Sequence, residues 1–133
     1  MVTVHNAEQA KFYYNKDHNR MMSAFVKTEE ALKEYEAAGI PWSNMIAYIG
    51  PENKLENKKM FDLLHQRGVM CMISAAPTYD KLENSAERAT AYRQTFAQGA
   101  DILESDLPIE AAQAIREILP SKSKKASFFT TSK

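Results

Sequence analysis

Short apolar runs alternate along the chain with stretches of helical periodicity. Five runs rich in apolar and β-branched residues predict strands. They occupy residues 1–4, 21–26, 45–49, 69–74 and 101–104. Several are apolar at nearly every position, which is typical of parallel strands covered on both faces. A helical stretch follows each run, so the pattern predicts five repeated β–α units in an α/β protein.

The residues at the helix ends support this repeat. Asn6, Thr28 and Ser85 precede helical stretches and are predicted to be N-caps, because their side-chain oxygens can accept from free N–H groups of the first turn. Three successive helical stretches end in glycine immediately before a strand or its lead-in, as expected for the left-handed residue after a helix. These glycines are Gly39, Gly68 and Gly99.

The last unit has the most distinctive pattern. A short strand leads into the acidic turn Ser105-Asp106, and Pro108 then lies in the first turn of an amphipathic helix predicted to reach Leu119. Proline is tolerated there because its missing N–H would have no partner in any case. A strand followed by an acid, a proline and a helix is typical of the ligand-facing rim of a parallel α/β protein.

This stretch resembles the closing strand of the glycerophosphodiester phosphodiesterase barrel, whose pattern is Gly-Val-Asp-Gly-Ile-x-Thr-Asp-x-Pro. Gly99, Asp101, Asp106 and Pro108 match it, and Ser105 takes the place of the threonine. The segment 64–75 is similar to the family's penultimate strand in having a histidine three residues before a glycine, but it lacks that strand's tryptophan.

The resemblance implies a fold: the C-terminal five β–α units of a TIM (β/α)₈-type barrel, with parallel strands in sequential order. It places a partial barrel domain at residues 1–120. Residues 121–133 are rich in Ser, Lys and Thr, which predicts a disordered basic tail.

The resemblance also implies a reaction, the metal-dependent hydrolysis of small glycerophosphodiesters in lipid metabolism, with Mg²⁺ or Ca²⁺ as the cofactor of the full-length family. The family's catalytic histidine comes from a His-Arg pair and its metal ligands from an early Glu-x-Asp. None of the three histidines here is followed by arginine. We therefore expect no catalytic residue and no resident metal in this chain, no activity alone, and self-association or pairing with an N-terminal half.

Working residues of parallel α/β proteins lie at the carboxyl ends of the strands. Lys27 is the expected anion contact, although a solvated lysine would look the same. Glu104 and Asp106, two residues apart on a strand, point the same way and could share a cation, but no third ligand is evident. The predicted substrate-rim residues are His5, Lys27, Glu52, Ser74, Glu104 and Asp106.

Composition narrows the alternatives. The 133 residues allow one domain, and the formal net charge of zero does not favour nucleic acid or a membrane surface as partner. Cys71 lies in an apolar run and is predicted to be buried together with Met70 and Met72. No membrane span or signal peptide is evident, so we expect a cytoplasmic chain, while the parent family leaves a periplasmic or secreted location open. The alternative is a flavodoxin-like binding or signalling module, which also has five β–α units.

Overall fold

The computed structural model describes residues 1–118, and each predicted strand is present within one or two residues of its expected ends. The strands β1–β5 are Val2–Val4, Met22–Phe25, Met45–Gly50, Met70–Ser74 and Ile102–Glu104. The helices α1–α5 are Ala7–Lys16, Glu29–Ala37, Asn57–Gln66, Ser85–Ala97 and Pro108–Ile115. Short 3₁₀ turns lie at Trp42–Asn44, Tyr79–Lys81 and Arg116–Ile118. The predicted tail, 121–133, lies outside the described residues.

The strands form one parallel sheet in the order β1-β2-β3-β4-β5. The predicted sequential order is therefore confirmed, and it differs from the 2-1-3-4-5 order of a flavodoxin-like sheet. Crossovers between parallel neighbours share one hand, which places the covering helices on one side of the sheet. This arrangement is the α/β architecture of a barrel sector.

The helices cover one face of the sheet. Its strand residues share a buried core with helix residues such as Leu32, Tyr35, Phe61 and Leu64. The fully or almost fully buried strand residues on this face include Val4, Met22, Ala24, Met45, Ala47, Ile49, Cys71 and Ile73. We call this side of the sheet the helix face.

Side chains alternate along a strand, so the intervening residues point the other way. Five of them, Ile46, Tyr48, Met70, Met72 and Ile102, are only half-buried, and we call their side of the sheet the open face. The register sets Tyr48 beside Met72 and Met72 beside Ile102.

The prediction for Cys71 is confirmed, since its side chain is fully buried on the helix face. Burial, and then the nearby charge of Asp101, raises the pKa of its thiol to about 12. The prediction that Met70 and Met72 are buried is wrong: both are half-buried. Alternation turns these two side chains to the open face, which none of the five helices covers.

Two of the three predicted N-caps are confirmed, and the third is one residue away. Asn6 and Thr28 accept hydrogen bonds from first-turn backbone N–H groups. The cap of α4 is Asn84, not Ser85, because Asn84 has extended backbone angles and its side chain accepts from two N–H groups. Ser85 is already the first helical residue. The closing helix α5 is shorter than predicted and passes into a 3₁₀ turn at Arg116–Ile118.

The three predicted helix-ending glycines all have positive φ, with 70° at Gly39, 74° at Gly68 and 127° at Gly99. Gly99 has a second constraint. A Cβ added to it would lie 3.0 Å from Cδ2 of Phe61, whereas one added to Gly68 would meet nothing within 4 Å. Gly99 is thus required both by its backbone angles and by close packing against α3.

Candidate functional site

The carboxyl ends of β1, β2 and β3 bring together two aromatic rings, a lysine and a histidine. The Lys27 Nζ atom lies 5.1 Å from the ring centroid of Phe25 and 5.0 Å from that of Tyr48. The two rings meet edge to face with their centroids 4.6 Å apart. The His5 ring lies 4.5 Å from the Phe25 ring. We call these four residues the rim cluster.

The register explains this grouping. Phe25 and Tyr48 are direct neighbours across β2 and β3, so their side chains meet on the same side of the sheet. His5 follows the end of β1, and Lys27 lies two residues after β2. A cation near an aromatic face gains about 0.5–1 kcal/mol at an exposed site, which helps to hold the Lys27 ammonium at the rim.

Glu104 and Ser74 lie next to the rim cluster on its β4–β5 side. The two residues are paired in register, and the backbone carbonyl of Glu104 accepts from the N–H of Ala75 at 2.7 Å. Burial raises the pKa of Tyr48, and the negative charge of Glu104 raises it further. Lys27, His5, Ser74 and Glu104 therefore lie at the carboxyl ends of neighbouring strands, and the exposed side chain of Lys27 is accessible to an anion.

Glu52 and Asp106 stand apart from this group. Glu52 pairs with Lys54, Oε1 to Nζ 3.6 Å, within the loop that follows β3. Asp106 is exposed and is held through its backbone N–H. Within residues 1–118, no hydrogen bond or ion pair joins either residue to the rim cluster.

Asp80 organises the acidic turn, a role that no sequence pattern indicated. Its carboxylate accepts from the hydroxyl of Tyr92 at 2.6 Å, from the hydroxyl of Ser105 at 2.9 Å and from the N–H of Asp106 at 2.6 Å. Burial, and next the hydrogen bond to Asp80, raises the pKa of Tyr92 to about 12. Asp80 fixes the turn between β5 and α5 on which the closing-strand motif lies.

Sequence reasoning missed Asp80 because no local pattern marks it. It lies in the loop after β4, more than twenty residues before the turn that it holds. Phe25 and Tyr48 were also missed as site residues, since in an apolar run they look like core positions. The signal that would have found them is the register of two neighbouring strands, which sets both rings side by side at the carboxyl end.

The carboxylates at the rim do not assemble a set of ligands for Mg²⁺ or Ca²⁺, which bind through several oxygen atoms. In the described part of the chain, three ligand atoms converge at one place, on His65, Cys71 and Asp101. That group lies near the opposite ends of β4 and β5 and includes a thiol and an imidazole. Neither Glu104 nor Asp106 belongs to it, so these residues do not fit the cation implied by the family resemblance.

None of the helices within residues 1–118 has the length and apolar character needed to cross a membrane.

Comparison with known proteins tests the resemblance of the closing strand. No protein-family model matches the chain, and no curated protein matches it. A solved structure does: a glycerophosphoryl diester phosphodiesterase from Parabacteroides distasonis, 52% identical, with a TM-score of 0.91. The match covers 96% of this chain and 45% of that one, so the chain spans less than half the length of its relative. The resemblance is therefore confirmed: over almost its whole length this chain is similar to a glycerophosphodiester phosphodiesterase, consistent with the C-terminal part of that protein.

Proposed function

We propose that this chain provides the C-terminal β–α units of a glycerophosphodiester phosphodiesterase, a hydrolase that cleaves small glycerophosphodiesters in lipid metabolism. One observation carries the proposal, the 52% identity to a glycerophosphoryl diester phosphodiesterase across 96% of the chain. Identity at this level, over 96% of the chain, supports a shared reaction as well as a shared fold.

Lys27 is the proposed contact for the phosphodiester anion. Its ammonium lies at the carboxyl end of the sheet, beside the rings of Phe25 and Tyr48. None of the ion pairs found in residues 1–118 uses Lys27, so its charge is available to a ligand. The proposed substrate-rim residues beside it are His5, Ser74 and Glu104. We assign Glu52 and Asp106 a minor role in substrate binding, from the loops that follow β3 and β5.

The chemistry needs more than these residues supply. Metal-assisted cleavage of a diester requires a bound cation and a positioned acid and base. The rim cluster holds one histidine and one lysine, and the rim carboxylates do not form an oxygen site. We therefore propose that the isolated chain is inactive, and that Mg²⁺ or Ca²⁺ is held by β–α units equivalent to the rest of the longer relative.

Pairing with another polypeptide follows from the same geometry. In the described sheet β1 pairs only with β2 and β5 only with β4, so each outer strand has a row of backbone groups available for a further strand. The open face adds half-buried apolar side chains. Either a second copy or a polypeptide carrying the N-terminal half would cover both features.

The first test measures turnover of glycerophosphocholine by the 133-residue chain with added Mg²⁺ or Ca²⁺, with light scattering to give the mass in solution. We expect no turnover and a mass above that of a monomer. Metal-dependent turnover that disappears in Asp106→Ala would contradict the inactivity and the minor role given to Asp106. A stable monomer would contradict the pairing.

The second test transfers this chain into the Parabacteroides enzyme in place of the segment that it matches. We expect the chimaera to hydrolyse glycerophosphodiesters, and Lys27→Ala to raise its KM. Lys11→Ala is the matched control, because Lys11 is an exposed lysine on α1. An inactive but folded chimaera would contradict the proposed function. An equal change in KM for the two substitutions would contradict the anion contact proposed for Lys27, but it would not contradict the proposed reaction.

A further inference from the structure

We propose that His65, Cys71 and Asp101 form a binding site for a borderline-soft divalent cation of the zinc type, away from the rim cluster. One ligand atom from each residue lies within 4.8 Å of the other two. The residues come from three places in the fold, since His65 is on α3, Cys71 is on β4 and Asp101 directly precedes β5. The site is at the start of β4 and β5, whereas the rim cluster is at the carboxyl end of the sheet.

The backbone fixes two of the three ligands before any ion arrives. The N–H of Asp101 donates to the carbonyl of Cys71 at 2.9 Å, and the N–H of Cys71 donates to Asp101 Oδ2 at 2.8 Å. This reciprocal pair of bonds joins the beginnings of β4 and β5. The carboxylate of Asp101 is therefore held at the backbone of Cys71, and the Cys71 thiol lies within 4.8 Å of it.

The third ligand is held near its place and can adjust. His65 Nε2 lies 2.7 Å from Asp101 Oδ2, and the His65 ring is stacked against the Phe61 ring with 6.4 Å between centroids. Bond lengths to zinc of about 2.0–2.3 Å place neighbouring tetrahedral ligand atoms roughly 3.3–3.7 Å apart. The ligand atoms now lie within 4.8 Å of one another, so binding requires side-chain shifts of about an ångström.

The donor set selects the class of cation. A thiolate, an imidazole and a carboxylate suit Zn²⁺ or Co²⁺, whereas Mg²⁺ and Ca²⁺ prefer oxygen ligands alone. Cys71 is fully buried, while the side chains of His65 and Asp101 are 39% and 36% exposed. The exposed side provides an entry path and room for water as the fourth ligand. Binding releases the thiol proton of Cys71 to solvent.

Cobalt is the probe that reports on the proposed thiolate ligand, because Co²⁺ bound to a thiolate gives a sulfur-to-cobalt charge-transfer band in the near ultraviolet. We expect the band to saturate at one Co²⁺ per chain and to disappear on addition of Zn²⁺. Excess Mg²⁺ should leave it unchanged. No band at saturating Co²⁺, or displacement by Mg²⁺, would overturn the proposal.

Two variants and a control locate the ion. His65→Gln should weaken Co²⁺ binding at least about tenfold, since even outer-shell changes at metal sites cost 10–100-fold in affinity. Cys71→Ala should abolish the band. The control is His5→Gln, which changes a histidine of the rim cluster and should leave the Co²⁺ affinity and the band unaltered. Circular dichroism on each variant verifies its fold. His65 is exposed, so His65→Gln remains informative if Cys71→Ala does not fold, and unchanged affinity in His65→Gln would overturn the site.

Discussion

The two faces of the sheet are built from the same strands and meet different surroundings. On the helix face, Ala24, Ala47, Cys71 and Ile73 have no exposed area. On the open face, the apolar side chains Ile46, Tyr48, Met70 and Met72 are half-buried, while the small Ser23 is buried. Within residues 1–118, the helix face completes its packing and the open face does not.

The two faces contribute different properties: one stabilises the fold, and the other carries the candidate site. The helix face supplies the stability of the folded chain, because burial of apolar area is the main favourable term in folding. The open face carries Phe25 and Tyr48, and with them the rim cluster. In this chain, the side of the sheet with the least packing is thus the side that carries the proposed anion contact.

Isoleucine-to-alanine substitutions on the two faces should show the largest difference in unfolding free energy. Ile73→Ala removes a fully buried side chain and should lower the free energy of unfolding by about 2–5 kcal/mol. Ile46→Ala, on the open face, should cost less because part of that side chain is already hydrated. Urea unfolding of both variants measures the difference, and equal losses would mean that the open face is covered in solution as fully as the helix face.

A glycine pair tests the close packing on the helix face. Gly99→Ala and Gly68→Ala both place a Cβ at positive φ, and each should cost about 1–3 kcal/mol of unfolding free energy. Gly99→Ala should be the more harmful, because the new Cβ also meets the buried ring of Phe61 at 3.0 Å. Thermal unfolding of the two variants ranks them. A greater loss for Gly68→Ala would show that Phe61 yields easily.

Two buried tyrosines allow the contribution of a hydroxyl hydrogen bond to stability to be distinguished from that of ring packing. Tyr92→Phe removes the hydrogen bond to Asp80 and should cost about 1–2 kcal/mol, since Asp80 keeps its other donors. The hydroxyl of Tyr35 is buried with no hydrogen-bond partner within residues 1–118, so Tyr35→Phe should leave the free energy of unfolding unchanged or raise it. Denaturant titrations of both variants provide the measurement, and a marked loss in Tyr35→Phe would reveal a hidden partner.

Much of the helix face could be predicted from the sequence, because local rules determine it. Apolar runs located the strands, and left-handed glycines located three helix ends correctly. The N-cap of α4 was wrong by one residue, since Asn84 and Ser85 are both good caps and only the backbone angles distinguish them.

The open face was harder to predict because apolar periodicity does not say which side of a strand is covered. Met70 and Met72 look like Cys71 in sequence, yet they face the other way and are half-buried. The rim cluster depends on register between strands, and Asp80 acts across 26 residues on Asp106. Such long-range relations leave no mark in a local pattern.

The smallest expected effect concerns two tyrosines in the two environments. Burial raises the pKa of Tyr35 to about 12, from the ordinary value of 10.0. It also raises the pKa of Tyr48, with Glu104 as the second cause, and Tyr48 is the less buried of the two. We therefore expect Tyr48 to titrate before Tyr35 as the pH rises, which NMR of ring-labelled tyrosine can resolve.

The substitution Glu104→Gln isolates the electrostatic part of that shift. It should lower the pKa of Tyr48 partway towards 10.0, because burial is the larger cause and remains, and it should leave Tyr35 unaffected. A tyrosine with a raised pKa in the folded state adds stability that is present below pH 10.0 and is lost as the pH rises through the folded pKa. Glu104→Gln should thus reduce the part of the alkaline loss that comes from Tyr48. An unchanged pKa at Tyr48 would mean that solvent at the open face screens Glu104 completely, and the face would then be wetter than its half-buried side chains indicate.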